Sequence, residues 1–163
     1  MIKTLLAVII LIFAAPLQAD DTLDAMYRAH AQAQGLDWRL VKAIAIVESA
    51  ERADSIHAES QSIGLVQVLC RDDGKGGCAN RLVDVAGWPP SSRDVLFDPN
   101  YNLLIGTQIL AWNIRTYGQR KGIAAYNQWS ARKTPRGEPF PNQYYVDKVL
   151  RTYRQLQNSE KLK

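Results

Sequence analysis

The sequence predicts a single, mainly α domain, and three observations carry that prediction. Apolar residues recur at intervals of three and four through several segments between Thr22 and Gln155, no segment of useful length alternates apolar with polar residues, and no internal repeat divides the chain. Length and composition suit one core: of 163 residues, 47% are hydrophobic and 22% charged, with 10 Gly and 7 Pro, which excludes collagenous, low-complexity and disordered chains. Lys and Arg number 20 against 16 Asp and Glu, a formal net charge of +4 that gathers into no single run. The footprint of a nucleic-acid binder is therefore absent, although weak attraction to an acidic polymer fits.

The chain opens with Met-Ile-Lys, an apolar run from Thr4 to Leu17 broken by Pro16, and Gln18-Ala19 before Asp20-Asp21. This pattern predicts a signal peptide over residues 1–19, cleaved after Ala19. An uncleaved anchor is the rival reading, disfavoured because a bilayer span needs about 20 apolar residues. No cysteine follows the apolar run, so no lipid anchor is expected. Removal of residues 1–19 leaves 144 residues, and the loss of Lys3 lowers the charge to +3.

Leu23, Met26, Tyr27 and His30 have helical spacing and predict a helix over Thr22–Gln34, with an N-cap among Asp20 to Thr22 and Gly35 as its stop. His30 and His57 are the only histidines and neither has a second ligand at a metal-binding offset, so no metal and no cofactor are expected. Asp37 is placed to cap a second helix, DWRLVKAIAIVES, whose buried stripe is Leu40, Val41, Ile44, Ala45 and Val47. Glu48 continues the series 41, 44, 45, 48, so its carboxyl falls on the apolar face at the helix's C-terminal end. Burial and the negative end of the helix dipole both disfavour the anion, which makes Glu48 a candidate general acid. The alternative is a helix-end Glu that turns outward or pairs with a basic side chain.

Ala50 to Gln61 reads as a polar loop. In Ser62–Val68, Gly64 permits a close backbone approach and Gln67 offers both a donor and an acceptor. Cys70 and Cys78 bracket a short Gly-rich loop and, in an oxidising compartment, form a local disulfide contributing roughly 2–3 kcal/mol by loop closure. Zinc binding would need two further ligands, and the glycines do not form a phosphate loop. Residues 79–97, with Gly87-Trp88-Pro89-Pro90, read as a connection. Asp98-Pro99 starts the longest helix, with Tyr101, Leu104, Ile105, Ile109 and Trp112 on its buried face and Gly118 at its end. Lys121 to Tyr126 predicts one or two further turns, and Ser130 to Pro141 a loop. The last helix carries Tyr145, Val146, Val149, Leu150 and Tyr153 and frays after Gln155.

Four segments can be read together: Val47-Glu48-Ser49, Gly64-Leu65-Val66-Gln67-Val68, Ala125-Tyr126-Asn127 and Tyr145-Val146-Asp147-Lys148-Val149. Their order and spacing resemble the catalytic domain of soluble lytic murein transglycosylases, and the resemblance covers nearly all of residues 20–163. It implies a goose-lysozyme-like, SLT-type helical domain with a groove for peptidoglycan glycan strands. It also implies roles: Glu48 as acid and then base in forming 1,6-anhydro-MurNAc from the MurNAc-GlcNAc bond, with Gln67, Tyr126, Asn127 and Tyr145 as substrate-binding or orienting residues. Ser49 is the weakest of these, since it sits where it can support the helix end instead. Ordinary glycosidases need two carboxylates about 5–9.5 Å apart, whereas Glu51, Asp54, Glu59, Asp72 and Asp73 all lie in polar loop sequence.

The chain departs from the family pattern in three places. Val66 stands for the usual Met, the family's Ser-x-x-Gly-Ala segment is represented only by Ala58 to Ser62, so that Ser60 and Ser62 are both candidates for substrate contact, and Cys70 stands where Pro is common. An exported enzyme of this type is expected in the periplasm, without a stable membrane span after cleavage, with peptidoglycan as its partner and no nucleic acid. A hydrolytic muramidase, and a peptidoglycan-binding assembly factor of a secretion, pilus or conjugation machine, are the competing readings.

Overall fold

The computed structural model describes residues 19–71, 74–78 and 93–160. The apolar N-terminal run, Asp72, Asp73 and the Gly87 to Pro90 connection lie outside the described residues. Helix α1 spans Ala19–Gln34, so the helix is already running where an N-cap was expected at Asp20 to Thr22. It ends as expected: Gly35 takes φ 67° and Leu36 N–H donates back to the Ala31 carbonyl at 2.9 Å, a left-handed stop that glycine adopts without steric cost.

Helix α2 spans Trp38–Ser49. The Asp37 carboxylate accepts from Arg39 N–H at 3.0 Å, from the Arg39 guanidinium and from the Tyr153 hydroxyl at 2.8 Å. Burial alone would raise the Asp37 pKa, but these donors prevail and hold it below the ordinary value. Leu40, Val41, Ala43, Ile44 and Ala45 are buried, while Val47 is half-buried. Ala50 and Glu51 then turn the chain with φ of 54° and 62°.

Two strands of two residues, β1 (Ser62–Ile63) and β2 (Val68–Leu69), pair antiparallel. They are too short to show alternation in sequence. The disulfide Cys70–Cys78 follows, its Cα atoms 4.8 Å apart. Arg93–Phe97, read as connection, forms a 3₁₀ turn that leads into helix α3, Pro99–Tyr117. Asp98 caps α3 by accepting from Tyr101 N–H at 2.8 Å. The helix is central rather than one-sided: Leu103, Ile105, Gly106, Leu110 and Ala111 are buried. Trp112, expected on the buried face, is 36% exposed and stacks at 6.1 Å on Trp129. Leu104 is only half-buried.

Helix α4, Gln119–Asn127, packs along α3. A Cβ at Gly122 would lie 2.7 Å from the Ile114 backbone, so glycine sets how closely the two helices approach. Trp129–Lys133, at the start of the expected loop, is a 3₁₀ turn. Helix α5, Gln143–Glu160, packs on α2 through buried Val146 and Val149. It does not fray at Gln155, because Glu160 anchors its end on Arg28 at 3.2 Å and Arg39 at 3.0 Å.

The β1–β2 turn is pinned to α3 by buried Asn102. Its carboxamide donates to the Ile63 and Leu96 carbonyls at 2.7 and 2.9 Å and accepts from Val66 N–H at 2.9 Å. Gly64, with φ 82°, approaches this amide so closely that a Cβ would collide with it. Asn102→Ala strands three buried backbone groups, each costing about 1–3 kcal/mol. Urea denaturation should show a loss of roughly 3–5 kcal/mol, against well under 1 kcal/mol for an exposed control such as Arg154→Ala.

Candidate active site

The end of α2, the β1–β2 turn, the end of α4 and the start of α5 converge on Glu48. The Tyr145 hydroxyl of α5 donates to Glu48 Oε1 at 2.7 Å, and the Asn127 side chain, which lines the same cleft, favours the carboxylate anion. Burial raises the Glu48 pKa above the ordinary glutamate value; the Tyr145 and Asn127 side chains, and then the charges of His57 and Lys148, oppose the rise without cancelling it. Burial also lifts the phenols of Tyr126 and Tyr145 well above their usual range, and the nearby Glu48 adds to both. Tyr145 therefore stays protonated and has a proton to donate to the Glu48 carboxylate.

A cleft of about 430 Å³ opens over the carboxyl, with Glu48, Gln67, Tyr126 and Asn127 all lining it. Gln67 sits at φ 50°, and its Nε2 donates to the Ser55 and Gly64 carbonyls at 3.2 and 2.9 Å. Carbonyls only accept, so both amide hydrogens are committed and Oε1 is the atom left for a ligand. The expected donor-and-acceptor role narrows to that of an acceptor. Tyr126 donates its hydroxyl to the Val66 carbonyl at 2.7 Å, so its contribution to the cleft is the ring wall. Tyr145 reaches Glu48 from outside the lining set.

Ser49 is not brought to the cleft. It is 8% exposed, donates to the Leu65 carbonyl at 2.7 Å and the Ala45 carbonyl at 3.2 Å, and accepts from Arg52 N–H at 3.1 Å. Its hydroxyl is spent on tying the helix end to the turn. Ser60 and Ser62 both line the cleft and bond to each other at 3.0 Å.

Sequence reasoning passed over His57, Arg71 and Trp129, which also line the cleft. In sequence His57 shows only the lack of a second metal ligand; in the structure its Nδ1 accepts from Ser60 N–H at 3.3 Å. Its position ahead of the Ser60 to Ser62 segment was the available signal. Among the described lining residues Glu48 is the one carboxylate. Asp54 pairs with Arg52 at 3.3 Å on the surface, and Glu51 lies 3.9 Å from Lys42. Among the described residues no group of three His, Cys, Asp or Glu converges as metal ligands would. A larger hollow, of about 830 Å³, bordered by Tyr117, Lys121, Arg136 and Phe140, contains none of the residues around Glu48.

Comparison with solved structures finds an inactive mutant of the lytic transglycosylase Slt from Pseudomonas aeruginosa, with a TM-score of 0.65 and 23% identity over 88% of this chain and 25% of that one. The 70 kDa soluble lytic transglycosylase from Escherichia coli matches with a TM-score of 0.62 and 24% identity over 87% of this chain and 25% of that one. At these identities the likeness establishes the lysozyme-like helical fold, and the chain spans about a quarter of either relative. Comparison with curated protein sequences finds no match. The transglycosylase SLT domain family matches residues 25–137, a span that includes Glu48, Gln67 and Asn127, and the chain belongs to that family.

Proposed function

We propose that this chain is an exported lytic transglycosylase that cleaves the MurNAc-GlcNAc β-1,4 bond of peptidoglycan and leaves a 1,6-anhydro-MurNAc end. The observation that carries this reading is a single half-buried, protonation-prone carboxyl, Glu48, in a cleft whose described lining holds no second carboxylate. A hydrolase of the two-carboxylate kind needs a base to activate water. A lyase-type cleavage needs one group that first gives and then takes a proton.

In the first step the Glu48 proton passes to the bridging oxygen, the C1–O bond of MurNAc breaks and the GlcNAc hydroxyl leaves. The acetamido oxygen of the same MurNAc bonds to C1 and carries the positive charge. The Glu48 carboxylate, held by Tyr145 and Asn127, then takes the proton of the C6 hydroxyl while O6 displaces the acetamido oxygen at C1. Glu48 ends as it began, protonated, and no water is consumed. Gln67 Oε1 accepts from a sugar N–H or O–H beside the bond being cut. Residues 1–19 direct the chain to the periplasm, where a secretion, pilus or conjugation apparatus is its proposed partner.

Purified sacculi digested with the protein should yield anhydro-MurNAc ends by mass analysis; reducing MurNAc ends would show a muramidase, and retention on sacculi without product would show a binding factor. Glu48→Gln should lower the rate of product release by roughly 10³-fold or more.

The same carboxyl makes the fold pH-dependent. Its folded pKa lies above the unfolded value, about 4.3, so between the two the native state binds more protons and stability falls as pH rises. Glu48→Gln removes that penalty. The variant's Tm should match the parent's near the unfolded glutamate pKa and exceed it by a few degrees at pH 8, at roughly 2–4 °C per kcal/mol, read by thermal melts across the pH range.

A further inference from the structure

Asn142 lies immediately before α5 and works in two directions. Its backbone carbonyl accepts from Tyr145 N–H at 3.0 Å and Val146 N–H at 3.3 Å, closing the first turn of α5. Its side-chain Nδ2 reaches the end of α4 and donates to the Ala124 carbonyl and to Asn127 Oδ1, both at 2.9 Å. The Ala124 carbonyl can only accept, so the Asn142 amide must present its NH2 there, and the second hydrogen of that NH2 goes to Asn127. Asn127 must therefore turn its oxygen toward Asn142, which leaves its own NH2 for Glu48. The orientation of two carboxamides is set by one backbone carbonyl. It holds although Asn142 Oδ1 is buried without a partner among the described residues, an arrangement that costs stability.

We infer that Asn142 is a positioning residue: it fixes Asn127 with its donor toward Glu48 and ties that donor to the helix turn that carries Tyr145. The Asn127 amide that faces Glu48 then depends on the Asn142 side chain, and the turn that carries Tyr145 on the Asn142 backbone carbonyl, although Asn142 itself does not line the cleft. The inference rests on the proposed acid and base role of Glu48 for its functional meaning, but not for its test.

Asn142→Asp replaces the donor with an acceptor. The Ala124 carbonyl repels it, and Asn127 turns its NH2 to the new carboxylate and its carbonyl oxygen to Glu48. The other groups that face Glu48 stay in place: His57 from the loop, Arg71 beyond β2, Tyr126 from α4, and Tyr145 and Lys148 from α5. The readout is the titration of the Glu48 side-chain carboxyl, followed by NMR in the full chain labelled with ¹³C at the glutamate carboxyl carbon. Asn142→Asp should move the Glu48 midpoint up by about one pH unit, a tenfold change in proton affinity, and move the basic limb of kcat/KM with it. Asn142→Ala keeps the backbone cap, adds no charge and should shift the midpoint the same way by less, which covers failure of the aspartate variant to fold.

The decisive comparison is the double variant. In an Asn127→Ala background, Asn142→Asp should shift the midpoint by less than about 0.3 units, because the residue it acts through is gone. An unmoved midpoint in folded Asn142→Asp, or the same full shift in the Asn127→Ala background, overturns the inference. Failure of the catalytic reading would appear separately, as activity surviving Glu48→Gln.

Discussion

A buried turn must find partners for its own backbone, and the segment from Ile63 to Gln67 imposes that requirement on three helices. Gly64, Leu65 and Val66 are buried, so their peptide groups cannot turn to water. Asn102 of α3 serves Ile63 and Val66, Ser49 of α2 serves Leu65, Tyr126 of α4 serves Val66, and Gln67 bonds back to Gly64. Each bond is short, and each comes from a residue whose substitution would leave a peptide group stranded. The turn is thus a rigid floor, and Gln67 is carried to the cleft as a consequence of how the turn is held.

Glu48 takes advantage of that rigidity. It stands one residue before Ser49, so the bond that ties the helix end to the turn also fixes where the carboxyl emerges. Tyr145 reaches it from 97 residues further along the chain, and Asn127 from the end of α4. Burial raises its proton affinity, while these two donors keep the anion from becoming inaccessible. The proposed role of acid and then base needs that balance: too dry a site would never release the proton, and too wet a site would never hold it.

The catalytic candidates were more legible in the sequence than their supports. Glu48 announced itself by local periodicity, since 41, 44, 45 and 48 share a helix face and three of them are plainly apolar. Asp37, Asp98, Gly35 and Gly118 marked helix ends through rules that act within a few residues. Ser49 and Tyr126 were both placed with the substrate by resemblance. Their bonds to Leu65 and Val66 span 16 and 60 residues, and no local pattern encodes such a contact. Trp112 misled for a different reason: an indole at helical spacing reads as core, yet stacking on Trp129 lets it remain partly in solvent. Asn142 carries no signal in sequence at all, because its importance lies in which atom of a neighbouring amide it leaves free.

The proposed reaction rests on a claim about water: one half-buried carboxyl would do the work of two because the sugar's own hydroxyl closes the ring. Digestion of sacculi in oxygen-18-labelled water tests that claim most directly. The account predicts released glycan ends that carry no label and are lighter than a hydrolytic product by one water. Labelled oxygen at C1 of the new MurNAc ends would contradict it.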